Sequence, residues 1–199
     1  ETGNSLDRLS FENPQRFGGS DVMHRISYDG GPHRGELQKA IVTAINRSIR
    51  NLSRARKFPR RAIYEIIVAG NSSMRDLLFG LDIQSIGQKP YKSSIEHEYL
   101  EGKRLSTELV ENAWELGLRA HRETRLYGLP LIGSHVGADA AACLTAIDMA
   151  SVEGEVVMMV DVGTNTEVVI GNAKRMVAAS CPAGPAFEGG LVTYGMPAY

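Results

Sequence analysis

Val156-Val157-Met158-Met159-Val160, Asp161-Val162-Gly163-Thr164-Asn165-Thr166 and Glu167-Val168-Val169-Ile170-Gly171 follow one another without a break, and their reading decides the fold. Two apolar, β-branched runs flank a turn rich in Gly, Thr and Asn, which reads as strand, tight turn, strand. The first strand delivers Asp161 to its tip, and Gly163 lets the backbone pass close to a ligand without a Cβ. Thr164 and Asn165 add a hydroxyl and an amide, and successive N–H groups at such a turn can form an anion-binding nest. A carboxylate beside that nest would repel phosphate unless a divalent cation lies between them or the carboxylate orients an attacking water. The chemical reading is therefore a phosphate clasp with Mg²⁺, in which Asp161 holds metal-bound water or acts as base. The plainer alternative is a hairpin whose Gly and Asn serve the turn alone. No Gly-Lys-Ser/Thr of a Walker A loop occurs in the chain, and no G-x-G-x-x-G follows a strand, so a nucleotide site here is of another kind.

Arg175 to Ala179 is a third strand after the turn Asn172-Ala173-Lys174. Upstream, Gly133 to Ala150 is rich in Ala and Gly and reads as a helix whose small side chains admit a close backbone neighbour. Ile63 to Ala69 is a strand buried on one face or on both, ending on Gly70-Asn71. Ser72 to Phe79 is a short helix closed by Gly80. Leu37, Ile41, Ala44, Ile45, Ile49 and Leu52 recur at helical spacing and place an amphipathic helix over about 33–52. Gly18-Gly19-Ser20-Asp21 offers an N-cap for a helical turn over Val22 to Ile26. Residues 82–104 are expected to be loop or weak strand. Residues 105–123 are ambiguous, with Leu105, Leu109, Ala113 and Leu116 at helical spacing and Gly117 interrupting. Arg125 to Ile132 is a strand. Strands interleaved with helices give an α/β fold.

The chain has 199 residues, 43% apolar, with 22 Lys and Arg against 23 Asp and Glu, a net charge of -1. That balance argues against a dedicated nucleic-acid or membrane-surface binder. Two cysteines cannot build a disulfide framework and suit a reducing, cytoplasmic setting. No window approaches a membrane-spanning length of apolar residues. Seven basic residues, Arg47, Arg50, Arg54, Arg56, Lys57, Arg60 and Arg61, precede the next acid, Glu65. They read either as a solvated helix end suited to the macrodipole or as a docking patch for an acidic partner.

Strand, Asp-x-Gly-Thr-Asn turn and strand, preceded by a small-residue helix, resemble the second phosphate hairpin of the actin, sugar-kinase and heat-shock-chaperone (ASKHA) ATPases. Four further stretches narrow the likeness: Ser10 to Gly18 with Asp21-Val22, Val68-Ala69-Gly70-Asn71-Ser72-Ser73-Met74, Gly133 to Asp139, and Ala183 to Gly189. Together they resemble the ATPase domain of the reductive activators of corrinoid proteins. The resemblance implies a ribonuclease-H-like, two-lobed α/β fold of mixed sheets with flanking helices. Residues 1–150 would be most of the first lobe, ending in the connecting helix from Gly137, and 151–199 the start of the second. It implies ATP and Mg²⁺ as cofactors, with Asp161 catalytic and holding Mg²⁺ through water. Gly163, Thr164 and Asn165 would form the phosphate loop, with Gly70, Asn71, Gly184, Glu188 and Gly189 lining the nucleotide cleft. The implied partner is a corrinoid protein returned from Co(II) to Co(I), the electron coming from a [2Fe–2S] module outside these residues; a homodimer stays open. The family's first phosphate loop, its adenosine-binding stretch and the cysteine-rich module lie outside these motifs, so the 199 residues alone are expected to be inactive.

A related branch, the activators of 2-hydroxyacyl-CoA dehydratases, holds an iron–sulfur cluster between two subunits. Cys181-Pro182-Ala183-Gly184 resembles one of its ligand contexts, while Ser134 stands where its other cysteine would be. Cys143 is expected in the core. His135 reads as a packed or capping residue, Asp139 as either a metal neighbour or a helix-face acid, and Trp114 carries no pattern. The functions set against reductive activation are phosphotransfer or phosphatase action on a small substrate, and a non-catalytic nucleotide-binding scaffold.

Overall fold

Asp21 starts the first helix, α1 (Val22–Asp29): its carboxylate accepts the His24 N–H at 2.9 Å and satisfies one of the free donors of the helix start. The computed structural model describes residues 4–19, 21–163 and 165–182. Helix α2 (Glu36–Ala55) begins after Gly35 (φ 81) and matches the amphipathic pattern read over 33–52. It serves two apolar clusters. Leu37 packs with Ile26, Leu77, Ile83 and Ile86, while Ile41, Val42 and Ile45 cover a second cluster that includes Leu78, Phe79, Leu109, Leu118 and Leu126.

That second cluster lies on a mixed sheet of β1 (Glu65–Val68), β2 (Leu109–Asn112) and β3 (Arg125–Gly128), in the order β1-β3-β2. β1 and β3 run parallel, β2 and β3 antiparallel. Between β1 and β2 come α3 (Ser72–Leu78) and α4 (Ser94–Leu100). Arg75 and Asp76 of α3 are completely buried. The Arg75 guanidinium forks onto Asp76 Oδ1 at 2.7 and 3.0 Å, and its Nη1 donates to the carbonyls of Thr107 and Leu129 at 2.8 Å each. One side chain thus ties α3 to both the start of β2 and the end of β3.

The structure differs from the sequence reading over 82–104, 105–123 and the strand from Arg125. Residues 82–104 hold a 3₁₀ turn at Gln84–Gly87 and the helix α4, whose start is capped by Ser93 accepting the Glu96 N–H at 3.1 Å. The helical spacing across 105–123 comes from a strand followed by one tight turn. Leu109 lies in β2, and the Leu116 N–H returns to the Asn112 carbonyl, with Gly117 at φ 88 ending the turn. The strand from Arg125 is also shorter than read. It stops at Gly128, where a Cβ would lie 2.9 Å from the Phe79 ring.

After a tight turn over Gly133–Val136 comes α5 (Ala138–Ala146), shorter than the span of small residues suggests. Ala138 and Ala140 are buried, but Cys143 is exposed, so it is not a core residue. A second, antiparallel sheet follows: β4 (Val157–Val162), β5 (Asn165–Asn172) and β6 (Arg175–Pro182), in that spatial order. One face carries the buried Val169. On the other, Met158, Val160, Val162, Ile170 and Val177 are exposed. Among the described residues no helix is long and apolar enough to cross a membrane.

Candidate functional site

The β4–β5 register sets Asp161 directly opposite Glu167, and Glu167 opposite Ser180 on β6. Facing side chains on an antiparallel pair are neighbours, so two carboxylates share one patch of the sheet. Asp161 and Glu167 are both half-buried. Burial pushes the Glu167 carboxyl above its usual range. The Ser180 hydroxyl, donating to Glu167 Oε1 at 2.9 Å, works against that, and the charges of Asp139 and Asp161 add to the rise.

Asp139 arrives from a different element, the first turn of α5. That helix is anchored by the tip of β1: the Gly70 carbonyl accepts the N–H groups of both Ala138 (3.0 Å) and Asp139 (3.2 Å). The approach is possible only because residue 137 is glycine; a Cβ there would stand 2.7 Å from the Asn71 Cα and 3.0 Å from the Gly70 oxygen. Asn71 caps α3, its Oδ1 taking the Met74 N–H at 2.9 Å, which leaves its amide NH₂ as the group with hydrogens to offer. Gly70 and Asn71 therefore meet the head of α5, and α5 carries Asp139 toward the hairpin that bears Asp161 and Glu167.

The turn itself differs in one respect from the nest read from sequence. The Gly163 N–H donates to the Asn165 carbonyl at 3.0 Å, so this amide closes the hairpin. Asn165 opens β5 and is exposed. Thr164, Gly184, Glu188 and Gly189 lie outside the described residues. Among the described residues no group of three or more His, Cys, Asp or Glu is arranged to enclose a metal. The acids suit a cation that keeps much of its water and takes further ligands from phosphate, as Mg²⁺ does. Like charges opposed across a ladder, with one carboxyl raised, fit such a cation and are unfavourable without it.

The cluster-ligand alternative loses its second position. Ser134 donates through both its N–H (2.9 Å) and its hydroxyl to Glu96 Oε2, and its Oγ accepts the Ser93 N–H at 2.8 Å. This serine locks the loop before α5 onto α4. Cys181 is exposed on β6, across from Thr166. His135 is exposed and lies 6.1 Å, ring to ring, from Tyr91.

Glu167 was not singled out from sequence. The signal was there: with a hairpin turn at 163–165, the strand period of two places residue 167 on the face of Asp161.

A family model described as the RACo middle region matches residues 1–152, and one described as the C-terminal domain of RACo, the ASKHA domain, matches residues 155–199. The corrinoid activation enzyme RamQ of Eubacterium limosum is 29% identical over 197 residues, which is 98% of this chain and 31% of that enzyme. A solved structure of a reductive activator for corrinoid, iron-sulfur protein superposes with a TM-score of 0.78 at 31% identity, covering 92% of this chain and 28% of that one. The chain thus spans about a third of the length of the relatives it matches.

Proposed function

The chain belongs to the RACo family, through its middle region and its C-terminal ASKHA domain, and from that premise we propose that it is part of an ATP-dependent reductive activator of a corrinoid protein. In this reading the whole activator returns the partner's cobalt from Co(II) to Co(I) with one electron from an iron–sulfur module outside these residues. ATP with Mg²⁺ supplies the driving force when bound. The observation that carries the proposal is the Asp161–Glu167 pair at the β4–β5 hairpin, with Asp139 within electrostatic reach.

Asp161 is assigned the water that hydrates the cation or attacks the γ-phosphoryl group, because it stands on β4 one residue before its end, next to the turn. Glu167 opposes it and keeps the patch negative. Thr164 and Asn165 are assigned to the phosphates, and Gly163 holds the turn tight through its bond to the Asn165 carbonyl. Gly70 and Asn71 couple the first sheet to the head of α5, so that ordering at one is felt at the other. Gly184, Glu188 and Gly189 are assigned to the nucleotide side of the second lobe.

The test is Asp161→Ala in the activator that contains this chain. ATP turnover and the spectroscopic conversion of Co(II) to Co(I) are expected to disappear together, while the protein keeps its fold by circular dichroism. Undiminished ATP hydrolysis in that variant would remove Asp161 from the chemistry.

A further inference from the structure

Trp114, the single tryptophan of the chain, follows β2 and is exposed at 36% of its surface. Two guanidinium groups lie over its ring, Arg119 at 4.6 Å and Arg122 at 5.6 Å from the centroid. Beside it is an open depression of about 460 Å³ lined by Arg61, Trp114, Ala120, His121, Arg122 and Glu123. Three separate parts of the sequence meet there.

The hydrogen bonds fix that meeting. Asn46 of α2 donates to the Gly117 carbonyl at 2.9 Å and accepts the Arg119 N–H at 2.7 Å. The helix thereby lies against the segment that carries Trp114, and Arg50 follows Asn46 by one turn on the same face. The Ile63 carbonyl accepts the His121 N–H at 3.2 Å and the Thr124 hydroxyl at 2.7 Å, which brings Arg60 and Arg61 to the other side. Tyr64 lies against His121 at 4.4 Å between centroids, the two rings tilted by 34°.

Arg50, Arg60, Arg61, Arg119 and Arg122 are all exposed, and among the described residues none of them makes an ion pair. The acids at the border are Glu115 and Glu123. The chain as a whole carries a net charge of -1, so this concentration of positive charge is local and balanced elsewhere. A predominantly basic patch around a partly exposed aromatic anchor has the composition of a recognition surface, since Trp and Arg dominate binding energy where proteins meet.

We propose that the Trp114 surface, with Arg50, Arg61, Arg119 and Arg122, is a docking site for an acidic protein surface. An acidic protein suits it better than a nucleic acid. The Trp114 ring is already covered by guanidinium groups rather than offered to a base, and Glu115 and Glu123 interrupt any continuous track for phosphates. Identifying the docked protein as the corrinoid partner rests on the proposed function; the location of the surface does not.

Trp114 is the single tryptophan of the chain, so its emission, after subtraction of a matched titration with the Trp114→Phe variant, reports the site. The chain is titrated with a corrinoid protein, with poly-L-glutamate of about 20 residues, with an oligonucleotide of about 20 bases and with ATP, at about 20 and about 300 mM salt. Saturable changes in Trp114 emission are expected with the corrinoid protein and with poly-L-glutamate, each about tenfold weaker at high salt. Arg61→Glu/Arg119→Glu/Arg122→Glu is expected to weaken both at least about tenfold, and the milder Arg119→Gln/Arg122→Gln severalfold with an unchanged far-ultraviolet spectrum. Binding of poly-L-glutamate alone, still dependent on the arginines, upholds the surface and refutes the corrinoid protein as its partner. Equal affinity in the charge-reversed variant, or preferential saturation by the oligonucleotide or ATP, overturns the proposal.

Discussion

Gly137→Ala is expected to destabilise the chain by roughly 2–4 kcal/mol, through steric exclusion and lost hydrogen bonds together. The added Cβ would stand 2.7 Å from the Asn71 Cα and 3.0 Å from the Gly70 carbonyl oxygen. Both are backbone atoms, which cannot swing away as a side-chain end would. Overpacking of this kind costs about 1–3 kcal/mol. Relief requires α5 to back away from the β1 tip, which stretches the bonds from Ala138 and Asp139 to Gly70. Each such bond contributes about 1 kcal/mol. Backbone conformation adds nothing, because Gly137 has φ -74 and ψ -169, which alanine adopts freely. Equilibrium urea unfolding measures the loss, with two controls. Gly133→Ala, whose Cβ meets nothing within 4 Å, and Gly70→Ala, whose nearest neighbour is the Met74 Cβ at 4.0 Å, are each expected to stay within about 0.5 kcal/mol of the parent. A Gly137→Ala variant as stable as those controls would refute the clamp between the strand tip and the helix head.

Glu167→Gln removes a charge held opposite Asp161 and is expected to stabilise the metal-free chain at pH 7 by a few tenths to about 1 kcal/mol. Because the folded carboxyl is raised above its ordinary value of 4.5, the parent gains stability as pH falls from above the folded pKa toward 4.5. The advantage of the variant over the parent should shrink through that window, and an advantage independent of pH would show that Glu167 is not the group responsible. Asp76→Ala strands the buried Arg75 guanidinium without its carboxylate and is expected to cost about 3–5 kcal/mol in urea unfolding. A loss below about 1 kcal/mol would mean that the Thr107 and Leu129 carbonyls suffice to hold Arg75.

The parts of the fold legible in sequence are those whose signal is local. The β4–β5–β6 meander announces itself by alternation and tight turns, and α2 by an apolar face repeated over five turns. The capping segment that ends on Asp21 marks α1 because a cap needs only its own next three residues. The parts that escaped depend on distant partners. β2 exists because Leu109–Asn112 pairs with Arg125–Gly128, and its side chains alone mimic helical spacing. α4 is seven residues long, too short for a periodic face, and it is held by Ser134 from the loop before α5. Cys143 reads as core because its neighbours are alanines, yet among the described residues the fully buried positions of α5 are Ala138 and Ala140, in its first turn. At the site, Asp161 was legible from its turn. Its coupling to Glu167 needed the register, and its coupling to Asp139 needed the Gly70–Gly137 contact, which no local pattern encodes. Trp114 says nothing as a lone residue; its meaning comes from arginines as distant in the chain as Arg50 and Arg61.

The exposed side of the second sheet bears on how firmly the Asp161 hairpin is held. Met158, Val160, Val162, Ile170 and Val177 remain in water, Val162 at 77% of its surface. Burying one such side chain releases about 1.5–3 kcal/mol. Five of them represent unrealised hydrophobic free energy of the same order as the entire stability of an ordinary domain, about 5–15 kcal/mol. The β4–β5–β6 sheet therefore draws on one face only, and its amides should exchange with solvent at lower opening free energies than those of β1 and β3. Anything that covers the open face would slow that exchange across β4, β5 and β6, making the rigidity of the hairpin a gauge of what lies against its back.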